Sequence, residues 1–150
     1  DKKAQKFEDE YLDLLMPEVK RIGFTAVTYM PPRNTREQLR RLQRLAGKEN
    51  LMEISGVDIN SSRQHFNCPE VMEPEFRHLN ETTWALIVHE RLVDLGKEYS
   101  LFSEENPLSG WTLQERVSRY AELGRTMDRR NPSSLEERID ELEKGVTGYA

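Results

Sequence analysis

Phe24-Thr25-Ala26-Val27-Thr28-Tyr29-Met30-Pro31-Pro32, running straight into Arg33-Asn34-Thr35-Arg36-Glu37-Gln38, decides the fold class. Up to Met30 the residues are mostly β-branched or aromatic, and the two prolines stop the run, so it predicts a strand. Thr35 and Gln38 stand at the spacing of a capping box, in which each end of the motif satisfies a backbone N–H of the other. The helix that this box opens carries Leu39, Leu42, Leu45 and Ala46 on one side and is expected to end at Gly47. A second strand, Leu51 to Ile59, follows a short polar join. Upstream, Phe7, Tyr11, Leu14, Leu15, Val19 and Ile22 recur at helical spacing, with Gly23 suited to terminate the helix. Pro17 interrupts that pattern. Inside a helix it costs about 3 kcal/mol, unless it begins a second, shorter helix. Helix, strand, helix, strand with short joins predicts an α/β fold with parallel strands.

The remainder reads differently. From Asn80 the signals are helical only: Trp84, Ile87, Val88, Leu92 and Leu95 form one stripe, expected to stop at Gly96. Thr112 and Glu115 form another capping box, opening a helix expected to close at Gly124. Ser133 and Glu136 predict a third such start. The expected organisation is therefore an α/β part at 1–68 and a mainly helical part at 69–150. Two strands are few for a parallel sheet, which needs both faces covered.

Composition narrows the function classes. The 22 Lys+Arg against 27 Asp+Glu leave a net charge of −5, which argues against a general nucleic-acid or anionic-membrane binder. No run approaches the roughly 18 apolar residues of a membrane span. The single cysteine, Cys68, fits a reducing compartment, and the expectation is a cytoplasmic protein without a membrane partner.

The chemistry-bearing stretch is Ile54-Ser55-Gly56-Val57-Asp58-Ile59-Asn60-Ser61-Ser62-Arg63-Gln64-His65-Phe66. An acid and an amide stand where a strand ends, and a polar loop with Arg and His follows. In parallel α/β folds, ligand groups gather at the carboxyl ends of strands. Asp58 can ligate a divalent metal, with Asn60 on the same side of the chain. Arg63 offers a planar fork for phosphate oxygens, and Arg33, directly after the first strand, can reach the same pole. His65 is a further candidate contact. Equally, Asp58 and Asn60 can do no more than satisfy backbone groups in an Asx-type turn.

Tyr29-Met30-Pro31-Pro32-Arg33-Asn34-Thr35 together with Ile54 to Gln64 resembles the C-terminal part of polymerase and histidinol phosphatase (PHP) family proteins. The resemblance implies a distorted, TIM-like β/α barrel, of which this chain supplies the last βα units followed by a helical extension. It implies a metal-dependent hydrolase of phosphate esters that uses divalent ions such as Zn, Mn or Fe. The family's last metal motif, Gly-x-Asp-x-His, corresponds to Gly56, Asp58 and Asn60, so Asp58 would be a ligand and Asn60 a weaker one in place of His. Arg63, Arg33 and His65 would contact the phosphate ester substrate. The family's early His-x-His is absent, since His65, His78 and His89 never stand two apart. The chain alone is then not expected to catalyse, and its other ligands would come from an upstream barrel segment or a partner chain. The alternative expectation is a non-catalytic α/β binding or scaffold module with a degenerate metal site.

Other features read as structure. His89-Glu90 lacks a second histidine four residues on, so the zinc-peptidase pattern fails and His89 is expected in the core or an interface. His78 has no supporting neighbours in sequence. Arg33, Arg36, Arg40, Arg41, Arg44 and Lys48 face one acid, Glu37, and read as a solvated helix face opposite acidic neighbours, or else as an anion patch. Cys68, ahead of Pro69, reads as a structural thiol.

Overall fold

The computed structural model describes residues 10–57 and 59–144. In chain order they form α1 (Leu12–Arg21), β1 (Ala26–Tyr29), α2 (Arg36–Lys48), β2 (Met52–Ser55), 3-10 turns at Pro69–Met72 and Pro74–Phe76, and α3 (Arg77–Val93). A 3-10 turn at Lys97–Tyr99, α4 (Leu113–Thr126), a 3-10 stretch at Pro132–Arg138 and α5 (Ile139–Lys144) complete the order. The chain divides into two compact units, Asp1–Asn80 and Glu81–Ala150.

In the first unit β1 and β2 pair in parallel, with Ala26 opposite Met52, Val27 opposite Glu53, Thr28 opposite Ile54 and Tyr29 opposite Ser55. The mixed α/β class is therefore as the sequence predicts, and among the described residues the sheet has two strands. The strands are shorter than the runs that predict them because pairing stops where the turns begin. The Thr35–Gln38 capping box forms at the start of α2. That helix continues through Gly47 to Lys48, and the chain turns instead at Asn50, whose φ is +50°.

Leu12 and Met16 of α1, Ala46 of α2 and Leu51 form one buried cluster, joined by Val27, Leu42 and Leu45. Tyr29, Leu39, Phe76 and Leu79 form a second, which also touches Leu42. Leu42 thus links the two, and α2 covers the strand face that carries Val27 and Tyr29. Fully burying each such side chain contributes roughly 1.5–3 kcal/mol. α1 runs through Pro17 without breaking, and Gly23, at φ +98°, ends it in the left-handed conformation that glycine takes without strain.

In the second unit Val88 and Leu92 of α3 and Val117, Tyr120, Ala121 and Leu123 of α4 are buried. At Gly124 the helices nearly touch: a Cβ there would lie 2.8 Å from the Trp84 carbonyl oxygen. The helix therefore passes through Gly124 rather than closing on it, and glycine serves close packing. The Thr112–Glu115 box forms as the spacing predicts. The Ser133–Glu136 box does not. Pro132 opens a 3-10 stretch, the Ser134 hydroxyl donates back to the Asn131 carbonyl (2.7 Å), and the α-helix starts only at Ile139. Among the described residues no helix is long and apolar enough to cross a membrane.

Candidate anion-binding cleft

The two strands run in parallel, so both chains leave the sheet at one end. After β1 the Met30 carbonyl accepts the Arg33 N–H (3.0 Å) and the Asn34 N–H (3.3 Å), closing a tight turn over Pro31 and Pro32. Two proline rings fix that turn, so Arg33 is carried on a stiff support. After β2 the Gly56 N–H donates to the Tyr29 carbonyl (3.1 Å), which ties the two exits together. Glycine is needed there because a Cβ would lie 2.9 Å from Thr28 Cγ2.

Beyond Gly56 the chain forms an irregular loop. Gln64 organises it: its Oε1 accepts the backbone N–H of Asn60 (2.5 Å) and of Ser61 (3.0 Å). The Gln64 N–H in turn donates to the Ser61 carbonyl (3.1 Å). Between this loop and the turn after β1 lies a cleft of about 520 Å³. Pro32 and Arg33 line it from the first exit, and Val57, Arg63, Gln64, His65 and Asn67 from the second, with Pro69 and Glu70 beyond.

Three of the residues that sequence reasoning assigned to substrate, Arg33, Arg63 and His65, therefore share one concave wall. Among the described residues the lining carries two arginines, one histidine and one carboxylate, Glu70, and Arg forks match phosphoryl oxygens. Glu70 accepts a hydrogen bond from Cys68 Sγ (3.5 Å). Burial, and then the Glu70 carboxylate, push the Cys68 thiol pKa up, so the thiol stays protonated and serves structure.

Asp58 lies outside the described residues. Asn60 is exposed, its backbone is held by Gln64, and it does not line the cleft. The donors on the cleft wall with metal-ligating chemistry are His65 and Glu70, and among the described residues no group of three or more His, Cys, Asp or Glu could hold a metal ion. Metal sites normally take three or more protein ligands. The described side chains therefore do not by themselves fit a divalent ion.

Beneath the strand exits stands a network that local reading misses. The Tyr29 hydroxyl donates to Glu53 Oε2 (2.7 Å) and accepts from Gln43 Nε2 (3.2 Å). His78 Nε2 lies 3.0 Å from the same Glu53 oxygen and 3.1 Å from the Tyr29 hydroxyl. Burial, and the hydrogen bond to Glu53, hold the Tyr29 phenol well above the usual tyrosine range. His78, isolated in sequence, is thus a partner in a partly buried polar cluster that secures β1 to β2.

Three arginines of the α2 stripe, Arg36, Arg40 and Arg41, are paired with acids. Arg36 bonds Glu73 and Glu75 (2.8 Å to the latter) and covers the Phe76 ring at 4.9 Å. Arg40 bonds Glu75 (2.7 Å), and Arg41 bonds Asp13 of α1. This is the solvated, acid-neutralised face that the pattern predicts. His89 of α3 is half-buried and accepts the Leu101 N–H at Nδ1 (3.1 Å), a structural role.

Comparison of the chain with protein-family models, with curated proteins and with solved structures finds no match in any of the three.

Proposed function

We propose that the first unit binds phosphate esters in the cleft at the carboxyl ends of β1 and β2, as the last βα units of a PHP-like barrel would. The observation that carries this reading is the convergence of Arg33, Arg63 and His65 on one cleft. Arg33 and Arg63 grip phosphoryl oxygens through charge-assisted hydrogen bonds, and His65 donates a third. Such bonds contribute about 1.5–3 kcal/mol each, roughly ten- to a hundredfold in affinity. Titration of the full chain with a phosphate monoester, followed by calorimetry, tests it. Arg63→Ala and Arg33→Ala should each weaken binding at least tenfold. Equal affinity in both variants, or no binding by the unaltered chain, sinks the reading.

The hydrolytic form of this proposal would place a divalent ion on Asp58, with Asn60 as a weak ligand. His65 and Glu70 are the cleft donors beside it, so the full ligand set would draw on a further barrel segment or a partner chain. A second reading, a non-catalytic binding or scaffold module, is favoured by the exposed position of Asn60 away from the cleft wall. The two readings part on Asp58→Ala. Lost metal content and lost phosphoesterase rate in the intact protein support hydrolysis, whereas no change in either leaves the binding module.

A further inference from the structure

Residues 94–112 join α3 to α4 with only the short 3-10 turn at Lys97–Tyr99 for regular structure. Loops longer than about 12–15 residues are uncommon in compact domains and are usually functional. This one is docked: Leu101 and Leu108 are fully buried. Both polar groups of Leu101 are held by side chains of the flanking helices. Its N–H donates to His89 Nδ1 of α3 (3.1 Å), and its carbonyl accepts from Arg116 Nη1 of α4 (3.1 Å). The Phe102 ring lies edge-on to the imidazole, 5.9 Å away.

We infer that His89 is an acid-sensing latch on the 94–112 segment: neutral, its Nδ1 accepts the Leu101 N–H and helps to hold the segment down, whereas a proton taken from solvent at Nδ1 turns acceptor into donor and favours its opening. A backbone N–H facing a protonated nitrogen is both unsatisfied and repelled, a penalty of the size that opens a loop. Glu90 stands beside His89 on α3, and the Arg116 guanidinium of α4 holds the Leu101 carbonyl. Burial holds the His89 imidazole below its ordinary pKa, and Glu90 opposes this.

A base held low in the closed form binds its proton more readily in the open form, where it titrates near about 6.5. Opening is therefore favoured as pH falls below about 6.5, by up to about tenfold per unit, and levels off at the lower closed-form value. Above that window the latch is fully engaged.

The test is amide hydrogen exchange on the ¹⁵N-labelled full chain between pH 7.5 and 5, corrected for intrinsic rates. The Leu101 opening constant should rise up to about tenfold per unit, while the Val117 and Ala121 amides of α4 hold steady. In His89→Asn, whose Oδ1 stands where Nδ1 stood and accepts without titrating, Leu101 should show no such rise. The same rise in His89→Asn, a flat Leu101 in the unaltered chain, or all three amides rising together would overturn the latch. Should the variant not fold, the imidazole ¹⁵N titration of the unaltered chain decides. Coincident shifts of His89 Nδ1 and the Leu101 amide support the latch, and independent ones overturn it.

Discussion

The loop after β2 and the loop after α3 are both long and irregular, yet they are held in opposite ways. The first is closed locally: Gln64 caps the N–H groups of Asn60 and Ser61 a few residues upstream, and Phe66 stands 88% exposed. The second is pinned by buried groups, one of its own and one of α4. Tyr120 of α4 donates to the Tyr99 carbonyl (2.6 Å), and Asn106, only 2% exposed, donates to the Ser100 carbonyl (2.9 Å) and to the Tyr120 hydroxyl (2.7 Å). A locally closed loop keeps polar groups at the surface, where a ligand can reach them. A loop pinned by buried groups contributes to the core, and its loss exposes apolar surface.

That contrast can be broken in graded steps. The largest loss should come from Asn106→Ala, which removes both donations and the acceptor of the Leu108 N–H (2.8 Å) in a dry setting. Each buried group left unsatisfied costs about 1–3 kcal/mol, so a loss of about 3 kcal/mol is expected in denaturant unfolding. Tyr120→Phe should cost less, about 1–2 kcal/mol, because the ring remains and only the hydroxyl's bonds go. Gln64→Ala should cost under about 1 kcal/mol, since water can replace its carbonyl at an exposed turn. Its effect should appear instead as weaker phosphate-ester binding, through a loosened Arg63 and His65. If Gln64→Ala destabilised the chain as much as Asn106→Ala, the two loops would not differ in kind.

What the sequence made legible follows the same division. Thr35–Gln38 and Thr112–Glu115 were readable because a capping box is complete within four residues. Strand positions were readable from β-branched runs, and from them the pole at which Arg33, Arg63 and His65 meet. Ser133–Glu136 misled because the same spacing was overridden by Pro132 and a backward bond from Ser134. The Tyr29–Glu53–His78 cluster left no local signal at all, because its members come from β1, β2 and α3 and only the fold brings them together. Likewise nothing near Asn106 in sequence announces Tyr120 as its partner.

Cys68 has a practical consequence. It is the chain's only cysteine and stands between two cleft-lining residues, Asn67 and Pro69, so a maleimide or spin label would attach at one known address. Because its thiol is held protonated by burial and by Glu70, alkylation near neutral pH should be slow. A ligand that draws Glu70 away from the sulfur would quicken it, so the labelling rate becomes a direct gauge of cleft occupancy.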